Sequence, residues 1–169
     1  MYSMFSSTTS LTNIDGAINW NTGNVKIMTY MFNSAKSLTN VNGARNWNTS
    51  SVTSIQGIFS NASNLTDISG LSSWNTGNVT DMVAAFSGTG ITNIDALSAW
   101  NTSSVTTMSN MFSSTKSLKN VNGASSWVVT NVTSMQNLFS KKLHMAVDMF
   151  LSNIRLNHQR MWMAAVVYI

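Results

Sequence analysis

The sequence contains no cysteine, no proline and no glutamate, and only 8% of its residues are charged. Without cysteine the chain can form neither a disulfide framework nor a thiolate metal site. A typical soluble domain carries about 25% charged residues, so this surface must interact with water chiefly through asparagine, serine and threonine. With no glutamate and only two histidines, the chain offers few groups for acid–base chemistry, and we expect no enzymatic activity.

Positive charge is scarce where a nucleic-acid surface would need it. Of the net charge of +4, residues 1–139 carry +1 and residues 140–169 carry +3, so the larger part supplies no basic stripe. No window reaches the roughly 18 apolar residues of a membrane span, and the first residues lack the charged and apolar segments of a signal peptide. We therefore expect no nucleic-acid partner and no transmembrane segment, and the oligomeric state stays open.

One motif recurs through the chain at a nearly constant period. Each repeat reads W-N-T, then V-x-x-M-x-x-[MIAL]-F, then L-x-x-[IV] and a corner rich in glycine or alanine. The tryptophans are Trp20, Trp47, Trp74, Trp100 and Trp127, and the phenylalanines are Phe5, Phe32, Phe59, Phe86, Phe112 and Phe139. The steps between the phenylalanines are 27, 27, 27, 26 and 27 residues. Such a period indicates a repeat architecture with an aromatic core.

Two local patterns occupy each repeat. Met28, Met31 and Phe32 have the spacing i, i+3, i+4, which predicts a helical turn with one buried face. The segment Leu11-Thr-Asn-Ile14 and its counterparts predict a short strand that ends at a glycine corner. The fourth corner has Ala96 in place of glycine, so we expect that the corner needs no positive φ.

A single repeat is too small to fold alone. A buried large apolar side chain contributes roughly 1.5–3 kcal/mol, whereas ordering the backbone costs roughly 1–2 kcal/mol per residue. The repeats must therefore stack and cover one another's apolar faces. We predict an α/β repeat solenoid of the leucine-rich-repeat type over residues 1–139, with about five 27-residue units and a start inside a repeat. A β-helix is the alternative, which the helical spacing disfavours.

Polar residues accompany each predicted strand and supply the candidate site. In chain order they are Thr12, Asn13, Asp15, Thr39, Asn40, Asn42, Thr66, Asp67, Ser69, Thr92, Asn93, Asp95, Lys119, Asn120 and Asn122. Stacked strands would align them on one extended surface, which we call the polar face and predict to be the binding face. Calcium prefers oxygen ligands, but only three of the five sets contain a carboxylate, so we predict neither metal nor cofactor. The asparagine of each W-N-T is expected instead to satisfy backbone groups of its own loop.

The pattern W-N-T-x-x-V-T-x-M-x-x-M-F, followed by L-T-x-[IV], resembles the repeats of the BspA-like leucine-rich-repeat surface proteins over about residues 1–139. The resemblance implies a bacterial protein at the cell surface or outside the cell, with adhesion as the expected role. Four repeats carry asparagine where that family usually has aspartate, and the last reads W-V-V-T-N. These departures weaken any ion binding by such acidic residues.

The tail, residues 140–169, departs from the repeat. An apolar stripe predicts a capping helix; its residues are Leu143, Val147, Phe150, Leu151, Ile154, Met161, Trp162 and Ala165. An out-of-pattern extension and a membrane-surface helix are the alternatives. His144 and Asp148, four residues apart, are interpreted as a solvated contact rather than a catalytic pair.

The leading functional hypothesis is a non-catalytic cell-surface module that binds an extracellular protein or glycan through the polar face. A structural spacer or a truncated fragment of a longer surface protein is the alternative.

Overall fold

The computed structural model describes residues 1–140, so the tail helix, its alternatives and the His144–Asp148 pair lie outside the described residues. Five 3₁₀-helices follow one another along the chain. They are η1 (Asp15–Ala17), η2 (Asn42–Ala44), η3 (Ser69–Leu71), η4 (Asp95–Leu97) and η5 (Asn122–Ala124). Each one occupies the corner of a repeat, and residues 1–140 contain no α-helix and no strand of more than one bridge.

We number the units from their phenylalanines. Unit 1 covers residues 5–31, unit 2 residues 32–58, unit 3 residues 59–85, unit 4 residues 86–111 and unit 5 residues 112–138. Parallel bridges join equivalent residues of successive units in two rows, and one further bridge joins Phe112 to Phe139. One row runs through Ile27, Ser54, Asp81, Thr107 and Ser134, and the other joins Asn40 to Asp67 and Asn93 to Asn120. The predicted strand is therefore reduced to one bridged residue in each of units 2 to 5, and to none at residues 11–14 of unit 1, because the chain enters the 3₁₀ corner immediately afterwards.

The segment for which the spacing predicts a helical turn is a run of overlapping turns instead. The N–H groups of Met28 and Tyr30 donate to the carbonyls of Ser54 and Gln56 in the next unit, over 3.0 and 2.8 Å. The intervening Met31 N–H turns back to the Met28 carbonyl, at 3.3 Å. An α-helix would commit every N–H to the residue four earlier. Here alternate N–H groups leave the unit, so the predicted helical turn is wrong.

Left-handed residues produce this alternation. They stand two positions before and two positions after the phenylalanine. Among residues other than glycine they are Ser3, Ser7, Tyr30, Ser34, Asn61, Ala84, Asn110, Ser114 and Asn137, and Gly57 and Gly88 complete the rows. Each such conformation costs on the order of 1–3 kcal/mol outside glycine. The hydrogen bonds between units offset that cost, so the turn depends on its neighbours.

The core is a set of side-chain ladders that run along the stack. Neighbouring phenylalanine rings lie 5.4–5.6 Å apart between centroids. Trp20, Trp47, Trp74 and Trp100 stack at 6.0–6.3 Å. The Met28, Met31 and Phe32 side chains are fully buried, so the spacing identified the core correctly although it predicted the wrong backbone.

Polar side chains also join the units from within. The Trp47 indole donates to the Ala17 carbonyl of the preceding unit over 2.9 Å. The buried Thr49 hydroxyl donates to the Asn75 carbonyl of the following unit over 3.0 Å. Because a buried donor without a partner costs roughly 1–3 kcal/mol, these contacts fix the vertical register of one unit on the next.

Three of the four corner glycines, Gly43, Gly70 and Gly123, are required by close packing rather than by φ. None of the corner positions has a positive φ, which confirms that part of the prediction. A Cβ on Gly43 would overlap the Ile14 carbonyl, and one on Gly70 would overlap the Val41 carbonyl. The corners of units 2, 3 and 5 therefore lie directly against the backbone of the preceding unit.

Candidate binding face

All fifteen residues of the polar face are accessible. Each is either exposed or half-buried in the structure. The apolar residues between them, such as Ile14, Val41 and Ile68, are buried. The predicted residues therefore share one accessible surface along the stack, although single bridges and 3₁₀-helices carry them rather than strands.

One residue in each set has a structural role. Its side-chain oxygen accepts the backbone N–H two residues later, at the start of the 3₁₀-helix, over 2.7–3.2 Å. These residues are Asn13, Asn40, Asp67, Asn93 and Asn120. Such Asx turns favour asparagine and aspartate, so part of the polar pattern is explained by the fold. The remaining threonine and corner side chains are freer to meet a partner.

The asparagines of W-N-T form the same kind of turn on another side of the molecule. Asn48 accepts the N–H and the hydroxyl of Ser50, at 3.1 and 2.7 Å. Asn101 accepts the N–H of Ser103 at 3.0 Å. The prediction that these asparagines satisfy their own loops is confirmed.

The polar face is held together between units 2 and 3 by a hydrogen-bonded cluster. The Asn42 amide donates to Asp67 over 3.2 Å, and the Ser69 hydroxyl donates to the Asn42 oxygen over 3.0 Å. The backbone N–H of Ser69, with smaller contributions from its side chain and from Asn42, holds the pKa of Asp67 below its ordinary value of 3.8. Partial burial acts in the opposite direction but is outweighed. Asp67 is therefore negatively charged at neutral pH.

The backbone ladder along the polar face is interrupted between units 3 and 4. The Thr39 N–H donates to Thr12 and the Thr66 N–H to Thr39, at 2.9 and 3.1 Å. The Lys119 N–H likewise donates to Thr92 at 2.9 Å. Within residues 1–140 the Thr92 N–H has no such acceptor and the Thr66 carbonyl has no donor.

The interruption follows from the single 26-residue step. Four residues separate Phe86 from Ile91, whereas five separate Phe59 from Leu65. The shortened link brings Gly90 against unit 3, where its N–H donates to the Leu65 carbonyl over 3.0 Å. A Cβ on Gly90 would lie 2.7 Å from the Ser63 carbonyl, so glycine is needed at this close approach. The hydrogen bond from Gly90 to Leu65 replaces the expected bond from the Thr92 N–H to the Thr66 carbonyl, so units 3 and 4 are not paired at Thr66 and Thr92.

A cavity of about 330 Å³ opens where the ladder is interrupted. Its lining residues are Thr66, Asp67, Ile68, Ser69, Ser72, Asn93, Asp95 and Ala96. Two of them, Asp67 and Asp95, bring carboxylates to the same cavity. The Asp95 carboxylate has no hydrogen-bond partner and no cationic partner in the described part of the chain.

Ala96 belongs to the same local arrangement. At this corner position the other units have glycine, and Gly43, Gly70 and Gly123 each lie too close to the preceding backbone to accept a Cβ. Ala96 is half-buried at the cavity. Its methyl group fits because the corner of unit 4 does not pack as tightly on unit 3.

Sequence reasoning placed Thr66, Asp67 and Asp95 on the polar face but did not single out the junction between units 3 and 4. It did not mention Ser72, and it noted Ala96 only as a corner residue without a role in a site. Two signals could have found the junction: the one short period, and the one corner with alanine instead of glycine. No group of three or more histidine, aspartate or glutamate side chains that could hold a metal occurs among residues 1–140.

The repeats match a known protein family. The family is described as "Mycoplasma protein of unknown function, DUF285", and it matches residues 1–90 and, in a second alignment, residues 38–153. The chain belongs to this family. The two matches include all five units of the DUF285 repeat and the beginning of the tail. No curated protein and no solved structure matches the chain.

The part of this DUF285 protein that the structure describes has no helix long and apolar enough to cross a membrane.

Proposed function

We propose that this protein is a non-catalytic repeat module at the cell surface, which binds an extracellular protein or glycan through the polar face. The observation that carries the proposal is the separation of roles along each unit. The repeated aromatic and aliphatic residues are buried in the core, whereas the fifteen residues of the polar face stay accessible. A partner would therefore meet the polar face before it could meet any core ladder.

The proposal also covers the repeat architecture of the chain and its relationship to one group of surface proteins. We infer a solenoid of the leucine-rich-repeat type, which within residues 1–140 uses 3₁₀ corners and single bridges in place of the expected helices and strands, and a relationship to the BspA-like surface proteins. Bridges and aromatic ladders between equivalent residues support the solenoid, and the W-N-T-x-x-V-T-x-M motif supports the relationship. Repeat arrays of this kind present long surfaces whose binding energy is spread over several units.

Threonine hydroxyls form the part of the polar face with most freedom to bind. Thr39, Thr66 and Thr92 are exposed at the same position of three successive units. The Thr66 and Thr92 hydroxyls form no hydrogen bond among residues 1–140, whereas the Thr39 hydroxyl donates to the Thr12 carbonyl and accepts from the Asn40 amide. Each hydroxyl can donate and accept, as recognition of a glycan or a peptide backbone requires.

A triple substitution of Thr39, Thr66 and Thr92 by alanine tests the proposal. We expect loss of binding to immobilised matrix proteins or arrayed glycans, with the thermal unfolding curve little changed. The Asx-turn residues are left intact because their loss would disturb the fold.

The matched control is the triple alanine variant of Thr53, Thr80 and Thr106. Each of these threonines directly precedes a residue of the other bridge row, and their hydroxyls donate to the preceding unit over 3.0–3.2 Å. The control should bind like the unmodified chain. Equal binding by all three proteins would contradict the proposal and favour the alternative, a structural spacer or a fragment of a longer surface protein.

A further inference from the structure

We propose that the cavity between units 3 and 4 receives a basic side chain, arginine above all, from a protein partner. This inference rests on the proposed function, because it assigns a ligand chemistry to one position on the polar face. The cavity is formed by the interruption of the ladder and is lined by residues of both units.

Uncompensated negative charge is the first support. Asp67 and Asp95 both line the cavity, and neither forms an ion pair within residues 1–140. The cations of this part of the chain lie elsewhere, because no lysine or arginine lines the cavity. Two carboxylates that line the same cavity attract a cation more strongly than a single carboxylate does, because their potentials add.

An unpaired backbone acceptor is the second support. Thr66 lines the cavity, and its carbonyl receives no hydrogen bond in the described part of the chain, although the equivalent Thr12 and Thr39 carbonyls each receive at least one from the next unit. A guanidinium group carries five N–H donors in a planar arrangement. It can therefore bond a carboxylate with two parallel hydrogen bonds and still donate to a carbonyl.

The volume of the cavity and the number of its ligands favour a basic side chain over a metal ion. The volume of about 330 Å³ lies at the lower end of the roughly 300–1,000 Å³ typical of small-ligand sites, and it accommodates a guanidinium with part of its aliphatic stem. Calcium needs about six to eight oxygen ligands at close range, and residues 1–140 assemble no group of three acidic or histidine side chains. A neutral sugar would leave the two carboxylates without a counter-charge. The chemistry thus favours a basic protein segment.

The test uses the full 169-residue chain, labelled with ¹⁵N, and N-acetyl-arginine amide as the probe. We expect saturable chemical-shift changes confined to the amides of Thr66, Ser69, Asn93 and Asp95. N-acetyl-citrulline amide has nearly the same shape without the charge and should cause no saturable change there. The absence of saturable changes with arginine, or equal changes with both probes, would overturn the inference.

A pair of matched variants locates the effect. Asp95→Asn should weaken arginine binding roughly tenfold, as expected for the loss of one charge-assisted contact. Asp15→Asn changes the same position of η1, away from the cavity, and should bind like the unmodified chain. Both carboxylates accept no hydrogen bond among residues 1–140, so neither change should disturb folding. Equal weakening by the two variants would also overturn the inference.

Failure of this inference differs from failure of the proposed function. If a matrix protein binds the chain through the threonine row, and Asp95→Asn has no effect on that binding or on the arginine titration, only the cavity assignment is wrong. If arginine binds at the cavity but the triple threonine variant keeps all its partners, the assignment of binding to the threonine row is wrong and the cavity assignment stands.

Discussion

Asparagine and aspartate recur in every unit because their side-chain oxygens close short turns. Asn48 and Asn101 do so in the W-N-T loops, and Asn40 and Asp67 do so before the 3₁₀ corners. An amide serves these turns as well as a carboxylate, since both provide the acceptor. The low charge of the chain is therefore compatible with its regular loops. Because asparagine would close the same turns, turn formation alone does not explain why some positions carry aspartate.

Asp67 gives a prediction about pH. Its folded-state pKa is lowered, chiefly by the Ser69 N–H, so its contribution to stability is present above the unfolded pKa and is lost as pH falls through the folded value. The free energy of unfolding should decrease as pH falls from about 5 through the ordinary value of 3.8 and then through the lower folded-state value, and Asp67→Asn should make that decrease smaller. Urea titrations across this range measure the effect. Asp15→Asn is the control, and an equal flattening by both variants would contradict the assignment to Asp67.

Among the local structural elements, the corner of each unit is the one that the sequence predicted best. The glycine pattern identified the corner, and Ala96 showed that no positive φ was needed. The turn around each phenylalanine was not foretold, because three residues at i, i+3, i+4 are buried equally well by a helix and by overlapping turns. The left-handed positions carry serine, tyrosine, asparagine, alanine or glycine, so they cannot be predicted from residue type.

The corner also gives a matched pair of glycine substitutions. Gly43→Ala places a Cβ into the Ile14 carbonyl and should destabilise the fold by about 1–3 kcal/mol, as overpacked sites do. Gly16→Ala meets no atom within 4 Å, and its φ is not positive. It should therefore be neutral or stabilise by about 0.4–1 kcal/mol through the unfolded chain. Chemical denaturation distinguishes them, and similar results for the two would contradict the close packing of the corners.

The whole molecule depends on contacts between units, since isolated bridges, left-handed turns and buried indoles all find their partners one unit away. The repeat period and the aromatic core were predictable from sequence because burial depends on residue type and spacing. The cavity was not predictable as a site, because it results from one missing residue in the link before Ile91 and from the altered pairing of Thr66 and Thr92. The only sequence features that indicated the position of the cavity are the 26-residue step after Phe86 and Ala96 in place of the corner glycine.

Phe86 tests this dependence at the centre of the stack. Its ring lies 5.5 Å from both Phe59 and Phe112, and its side chain is fully buried. Phe86→Ala should cost roughly 3–5 kcal/mol and should broaden the denaturation transition as the two halves uncouple. The partly buried Phe5 at the first unit is the comparison, and Phe5→Ala should cost less. A loss below about 1 kcal/mol at Phe86 would show that the ladder does not hold the units together.

Amide hydrogen exchange at Thr92 tests the central claim most directly, namely that a continuous ladder between units is interrupted at the one short step. The Thr66 and Lys119 amides donate to the preceding unit, so they should be protected. The Thr92 amide, which has no acceptor within residues 1–140, should exchange at least roughly tenfold faster than either. Equal protection at Thr66, Thr92 and Lys119 would mean that the ladder is unbroken, and it would contradict both the interruption and the cavity that depends on it.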